Sequence, residues 1–185
     1  MRPTAQRTST TVVAVIGDLA RECVERLGRA TNVTPLVPEP DDPALDRAVA
    51  AWTEAARSHV PYFVHDADPL AAVADAWVRR FDEAGPIGEL EVAAAETLAR
   101  WRVGSIELPD YYLVLDAESW GVTRRHWYLG VLHGTAPARV VPVPNVDLAM
   151  SAPARFGAGR WWPDLDEMLA GIERVVPDRA GVTPT

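Results

Sequence analysis

Short runs of apolar residues alternate along the chain with longer segments in which apolar residues recur every three or four positions. The short runs are typical of buried β-strands, and the longer segments are typical of amphipathic α-helices. Strands are predicted over residues 10–18, 32–38, 62–66, 111–116 and 138–144. Helices are predicted over residues 19–30, 41–60, 68–81, 87–101, 123–133 and 164–176.

This order of strands and helices predicts an α/β fold. A strand followed by a helix occurs five times, with one additional helix, which is typical of a doubly wound, mainly parallel five-stranded sheet in a three-layer sandwich. We expect a single domain over residues 10–177. Disordered tails are expected at residues 1–9 and 178–185.

Two prolines restrict the order of the strands. Pro35 interrupts the second strand and Pro142 interrupts the fifth, whereas the other three strands contain none internally. Because proline cannot donate a hydrogen bond within a sheet, these two strands are predicted to lie at the edges. Two orders satisfy this condition: the flavodoxin-like order 2-1-3-4-5 and the order 2-3-1-4-5, which is common in phosphate-loop folds.

Composition removes several classes of function. The chain of 185 residues has a net charge of −8, which disfavours general binding to nucleic acids or to anionic membranes. All 18 basic residues are arginine, so no lysine can serve a phosphate loop or form a Schiff base. Cys23 is the single cysteine, which excludes an intramolecular disulfide. No apolar run approaches 18 residues, and we expect a soluble cytoplasmic protein with no membrane partner.

Acidic residues follow three of the predicted strands. In open α/β sheets, ligands bind beyond the carboxyl ends of the strands. The residues that gather at this rim are predicted to be Asp18, His65, Asp66, Asp68, Asp116 and Glu118. Clustered carboxylates bind Mg²⁺ or Mn²⁺, or act as acids and bases.

Several of these residues also have local explanations. Asp68 precedes Pro69 and is predicted to cap a helix, and Asp18 also precedes a helix. His65 could act as a base beside Asp66, or could instead donate a hydrogen bond within the turn. Asp66 and Asp116 have no equally obvious local role.

Motifs for well-known mechanisms are incomplete. The first strand is followed by "VIGDLARE", which is neither a dinucleotide-binding nor a phosphate-loop sequence. The sequence leaves open the possibility that another loop binds FMN or a nucleotide. No serine stands in a G-x-S-x-G elbow, and His126 and His133 lack a third zinc ligand at useful spacing.

Arginine and aromatic residues cluster in two further segments. These residues are enriched where proteins bind partners. The first segment contains Trp120, Arg124 and Arg125, and the second contains Arg160, Trp161 and Trp162. The alternative is that Trp161 and Trp162 hold the last helix against the sheet.

Two functions follow from these features. The first is a non-catalytic binding or interaction module that uses the strand-end rim and the two arginine–tryptophan segments, with a protein partner, a second copy of the chain or a small molecule as its ligand. The second is an enzyme that acts on a phosphate-containing or nucleotide-like small molecule. In the second, Asp66 and Asp116 would hold Mg²⁺ or Mn²⁺, with Asp18 or Glu118 as a further ligand or general base.

Overall fold

The computed structural model describes residues 9–157 and 162–177. Five parallel strands form one sheet in the order β2-β3-β1-β4-β5. They are β1 (Thr11–Ile16), β2 (Val33–Leu36), β3 (Tyr62–His65), β4 (Tyr111–Leu115) and β5 (Val140–Val143). The predicted α/β class is confirmed, and the two strands that contain proline lie at the edges. Of the two predicted orders, the sheet has 2-3-1-4-5.

Helices connect the strands. They are α1 (Ala20–Leu27), α2 (Ala44–Ala55), α3 (Ala71–Asp82), α4 (Ile87–Arg102), α5 (Val122–His126), α6 (His133–Thr135), α7 (Val146–Ala149) and α8 (Leu165–Leu169). A wide π turn, Trp127–Leu132, joins α5 to α6. No helix in residues 9–157 and 162–177 has both the length and the apolar character needed to cross a membrane.

Both faces of the sheet are covered, which explains the continuous apolar runs. Successive side chains of a strand point to opposite faces. Val13 and Val15 of β1 pack in the core layer formed with α1 and α7. Ala14 and Ile16 pack in the opposite layer, formed with α3, α4 and the π turn. The sheet therefore lies between two helical layers.

Four details of the helices differ from the predictions. The segment 123–133 is not one regular helix, because the π turn interrupts it. The sequence predicts Thr123 as the N-cap of this segment, but Gly121 occupies the cap position and the Thr123 hydroxyl donates a hydrogen bond to Asp82. The last helix ends at Leu169, shortly before Gly171 takes a left-handed conformation with φ of 78°. Helix α7, capped by the side chain of Asn145, was not predicted.

Candidate functional site

A cavity lies at the carboxyl ends of β1, β3 and β4, where the sequence predicts a functional rim. Its volume is about 560 Å³. We call it the rim cavity. Five of the predicted site residues line it: Asp18, Asp66, Asp68, Trp120 and Arg124. The carboxylate rim and the first arginine–tryptophan segment, predicted as two features, thus meet in one place.

Gly17 allows the ends of β1 and β4 to approach each other beneath the cavity. Its φ is 134°, a conformation that side chains with a Cβ rarely adopt. A Cβ at this position would lie 2.9 Å from the carbonyl oxygen of Leu115 and 3.3 Å from the indole of Trp120. The glycine therefore fixes where Trp120 can sit against the end of the sheet.

Asp68 forms a buried hydrogen-bonded cluster with two tyrosines. Its Oδ1 accepts a hydrogen bond of 2.9 Å from the hydroxyl of Tyr112, and its Oδ2 accepts one of 2.7 Å from the hydroxyl of Tyr128. Burial raises the pKa of the Asp68 carboxyl, although the hydrogen bonds oppose this effect. Burial and the neighbouring carboxylate also raise the pKa of both tyrosines well above its ordinary value.

The predicted cap of α3 by Asp68 is present only as a hydrogen bond in the turn before the helix, whose N-cap is Leu70. Oδ1 of Asp68 accepts a hydrogen bond of 2.8 Å from the backbone N–H of Leu70, just before α3 begins. The same carboxylate therefore closes the turn that leads into α3 and holds two tyrosines beside the rim cavity. The sequence indicates only the first of these roles.

The π turn brings Tyr128 to Asp68. Trp127 and Tyr128 are consecutive, and both are buried. At Gly130, a Cβ would lie 2.7 Å from the imidazole of His126, which stacks on Trp77 with 6.1 Å between ring centroids. Wide turns of this kind occur often at functional sites.

His65 is a buried hydrogen-bond acceptor. Its Nδ1 accepts a hydrogen bond of 3.2 Å from the backbone N–H of Ala67. The predicted hydrogen bond within the turn is thus present, but with the histidine as acceptor, because the neutral ring leaves one nitrogen free to accept. Burial lowers the pKa of His65 to about 4.

Asp66 forms an ion pair with Arg47 of α2. The Nη2 of Arg47 lies 3.2 Å from Oδ1 of Asp66, whose side chain is only 10% exposed. Oδ1 of Asp66 and Nε of Arg47 are both buried without a hydrogen-bond partner among the described residues. Both residues line the rim cavity, so unused hydrogen-bonding capacity lies at its edge.

Besides His65 and Trp162, three predicted site residues that the structure describes lie outside the lining of the rim cavity. Asp116 is exposed at the end of β4 in a left-handed conformation, with φ of 46°. Glu118 accepts a hydrogen bond of 2.8 Å from Arg125 in a surface ion pair. The structure thus brings Asp18, Asp66 and Asp68 to one cavity and leaves Asp116, Glu118 and Arg125 beside it.

The second arginine–tryptophan segment is described only at Trp162. Its indole N–H donates a hydrogen bond of 2.7 Å to the carbonyl oxygen of Pro109, and its ring packs edge-on against Tyr112. For Trp162, these contacts agree with the alternative that it holds the last helix against the sheet. Arg160 and Trp161 lie outside the described residues.

The carboxylates do not form an evident metal site. Within residues 9–157 and 162–177, no three or more histidine, cysteine, aspartate or glutamate side chains are grouped so that they could hold a metal ion. Asp66 lines the rim cavity, but Asp116 does not. A metal held by these two residues therefore stays a prediction.

Comparisons of the chain with protein-family models, with curated proteins and with solved structures find no match. Evidence on function therefore comes from the rim cavity itself.

Proposed function

We propose that the chain is a non-catalytic binding module that takes a small organic molecule in the rim cavity. The observation that carries this proposal is the convergence of Asp18, Asp66, Trp120 and Arg124 on one cavity of about 560 Å³. This volume suits a small ligand, and the position beyond the strand ends is the usual one in open α/β sheets. Aromatic and charged groups together can orient such a molecule.

The ion pairs and hydrogen bonds that the acidic and basic groups already make favour ligand binding over catalysis. Asp66 is paired with Arg47, and Asp68 accepts three hydrogen bonds from protein groups. His65 is buried and uses Nδ1 within its own turn. A general base must reach the proton that it removes, and these groups are engaged elsewhere.

Glycine positions provide a direct test of the cavity. Gly121 lines it, has an ordinary φ of −53°, and has no atom within 4 Å of where a Cβ would stand. Gly121→Phe therefore fills the cavity without strain at the backbone. Gly134 has equally open space and lies outside the lining, so Gly134→Phe is the matched control.

The experiment is a thermal-shift titration with benzamidine, benzamide, benzoate, AMP, FMN, Mg²⁺ and Mn²⁺. A molecule that binds only the folded protein raises the melting midpoint as its concentration rises. We expect at least one organic probe to stabilise the wild type and the Gly134→Phe variant but not Gly121→Phe. If no organic probe distinguishes the two variants, the proposal fails.

The same experiment tests the metal-dependent enzyme. Stabilisation by Mg²⁺ or Mn²⁺ that disappears in Asp66→Asn would favour that alternative and place its metal at the rim. Stabilisation by metal that persists in Asp66→Asn would reflect binding to the acidic surface in general.

A further inference from the structure

A second cavity lies beside the first, between α3 and α4. Its volume is about 540 Å³, and we call it the α3–α4 groove. Asp75 from α3 and Glu89, Val92 and Glu96 from α4 contribute to its lining. Val92 is 57% exposed, so an apolar side chain lies open at the surface of the groove.

The groove and the rim cavity share two lining residues. Ala44, at the start of α2, and Asp75 contribute to both. Asp75 forms an ion pair with Arg124, at 3.4 Å, and both side chains are half exposed. A molecule longer than the rim cavity could therefore continue over Asp75 into the groove.

Acidic groups outnumber basic groups along this path. Six carboxylates line the two cavities: Asp18, Asp66, Asp68, Asp75, Glu89 and Glu96. Four guanidinium groups line them: Arg21, Arg47, Arg79 and Arg124. Three of these arginines already form ion pairs with carboxylates in the lining, at Asp66, Glu89 and Asp75.

Two exposed carboxylates at opposite ends of the path are left without an ion-pair partner among the described residues. Asp18 lines the rim cavity and Glu96 lines the groove, and neither has an ion-pair partner among residues 9–157 and 162–177. Arg21, the fourth guanidinium, lies 3.7 Å from Glu25, outside the lining. The side chain of Asp66 is nine-tenths buried, and its Oδ1 is held in the ion pair with Arg47.

Small apolar side chains lie between the charged residues of the α3–α4 groove. Ala44, Ala72, Ala93 and Val92 line it, and methylene groups can pack against them. At the rim end, the guanidinium of Arg124 lies over the Trp120 ring, 5.9 Å from its centroid, so this ring already contacts a cation of the protein. Separated carboxylates with apolar surface between them match a molecule that carries positive charges on a hydrocarbon chain.

We propose that the rim cavity and the α3–α4 groove form one elongated site for a linear diamine or polyamine, with one ammonium group near Asp18 and another near Glu96. This proposal rests on the proposed binding function of the rim cavity. It adds the chemical class of the ligand and a second part of the site.

The test is calorimetric titration of the full chain at about 0.15 M salt, where long-range attraction to the acidic surface is screened. The probes are benzamidine, which is short enough for the rim alone, and the series 1,3-diaminopropane, putrescine, spermidine and spermine. We expect the affinity to rise along this series once the amine is long enough to reach from the rim cavity into the groove.

Variants in the groove separate this site from general attraction to an acidic protein. Glu96→Gln should lower the affinity for spermidine about twofold to fivefold and leave the affinity for benzamidine unchanged. Glu91→Gln removes the same charge from an exposed position of α4 outside both linings and should change neither. A Cβ added at Gly88 would have no atom within 4 Å, so Gly88→Phe can fill the groove. We expect this variant to lower the affinity for spermidine about tenfold.

Each other outcome decides against the proposal in a distinct way. Equal effects of Glu96→Gln and Glu91→Gln would mean that polyamines bind the acidic surface without a site. Benzamide or benzoate binding at the rim, with no amine bound, would leave the binding function standing and reject the ligand class. A hexa-arginine peptide that binds more tightly than spermine, with the same dependence on Glu96 and Gly88, would assign the groove to a protein partner. Failure of every probe would reject both proposals.

Discussion

The hydroxyl of Tyr128 lies 2.7 Å from Oδ2 of Asp68, across 60 residues of sequence. A tyrosine from the π turn thereby reaches a carboxylate in the turn that leads into α3 at the strand-end rim. Tyr112, from the central sheet, meets the other oxygen of the same carboxylate at 2.9 Å. Sheet, helix start and π turn are therefore joined at one buried polar cluster, which stands beside the rim cavity.

Removal of either hydroxyl is expected to destabilise the fold. Tyr128→Phe leaves a buried carboxylate oxygen without one donor, which should lower the free energy of unfolding by about 1 to 3 kcal/mol. Urea denaturation at neutral pH measures this change. Tyr62→Phe is the control, because the Tyr62 hydroxyl makes no hydrogen bond within the described part of the chain.

The two tyrosines should also interact energetically. Since both donate to Asp68, the loss in Tyr112→Phe/Tyr128→Phe should differ from the sum of the single losses by about 0.5 kcal/mol or more. Additive losses, or a Tyr128→Phe cost no greater than that of Tyr62→Phe, would contradict a cooperative cluster.

His65 should make the fold sensitive to mild acid. Its pKa is lowered from 6.5 to about 4, so the unfolded chain binds the proton first as the pH falls. Stability is therefore lost as the pH falls from 6.5 towards 4, by about 2 kcal/mol between pH 7 and pH 5. Urea denaturation across this range, on the wild type and on His65→Gln, measures the contribution.

Glutamine keeps a side-chain acceptor for the Ala67 N–H but does not titrate. The unfolding free energy of the wild type should therefore increase, relative to that of His65→Gln, as the pH rises. A constant difference would show that His65 titrates alike in the folded and unfolded chains.

The layout of the sheet could be predicted because its physical causes are local. Strands covered on both faces need continuous apolar runs, and Pro35 and Pro142 can be placed only where no hydrogen bond is required of them. The positions of β1 and β3 relative to each other could not be predicted. Both are apolar runs without internal proline, and either order satisfies the same local rules.

The lining of the rim cavity could be predicted in part for a similar reason. Residues at strand ends can be found from the strands, which identified Asp18, Asp66 and Asp68. Their partners come from distant segments and carry no local signal. Arg47 belongs to the first turn of α2, and Tyr128 reaches Asp68 through a π turn that the helical pattern of residues 123–133 does not indicate.

Asp68 should influence stability with the opposite sign to His65. Because burial raises its pKa, the folded state favours the protonated carboxyl, and this contribution to stability is lost as the pH rises from 3.8 through the raised pKa. Asp68→Asn cannot titrate and loses hydrogen bonds at every pH. Its cost, measured by urea denaturation, should therefore be largest near pH 4 and smaller at pH 7. A cost that grows with pH would mean that the hydrogen bonds from the tyrosines outweigh burial and lower the pKa of Asp68.

Gly17 should be the least replaceable glycine of the rim. Gly17→Ala combines a φ of 134° with a contact of 2.9 Å to the carbonyl oxygen of Leu115, and should cost about 1 to 3 kcal/mol of stability. Gly121 belongs to the same rim, and a Cβ added there would have no atom within 4 Å. Gly121→Ala should therefore change the stability little. Because the new methyl would also lie 3.3 Å from Trp120, the NMR signal of the Trp120 indole N–H should shift in Gly17→Ala and not in Gly121→Ala. Equal stability and equal spectra for the two variants would mean that the junction of β1 and β4 adapts to a side chain, and that Gly17 does not set the shape of the rim cavity.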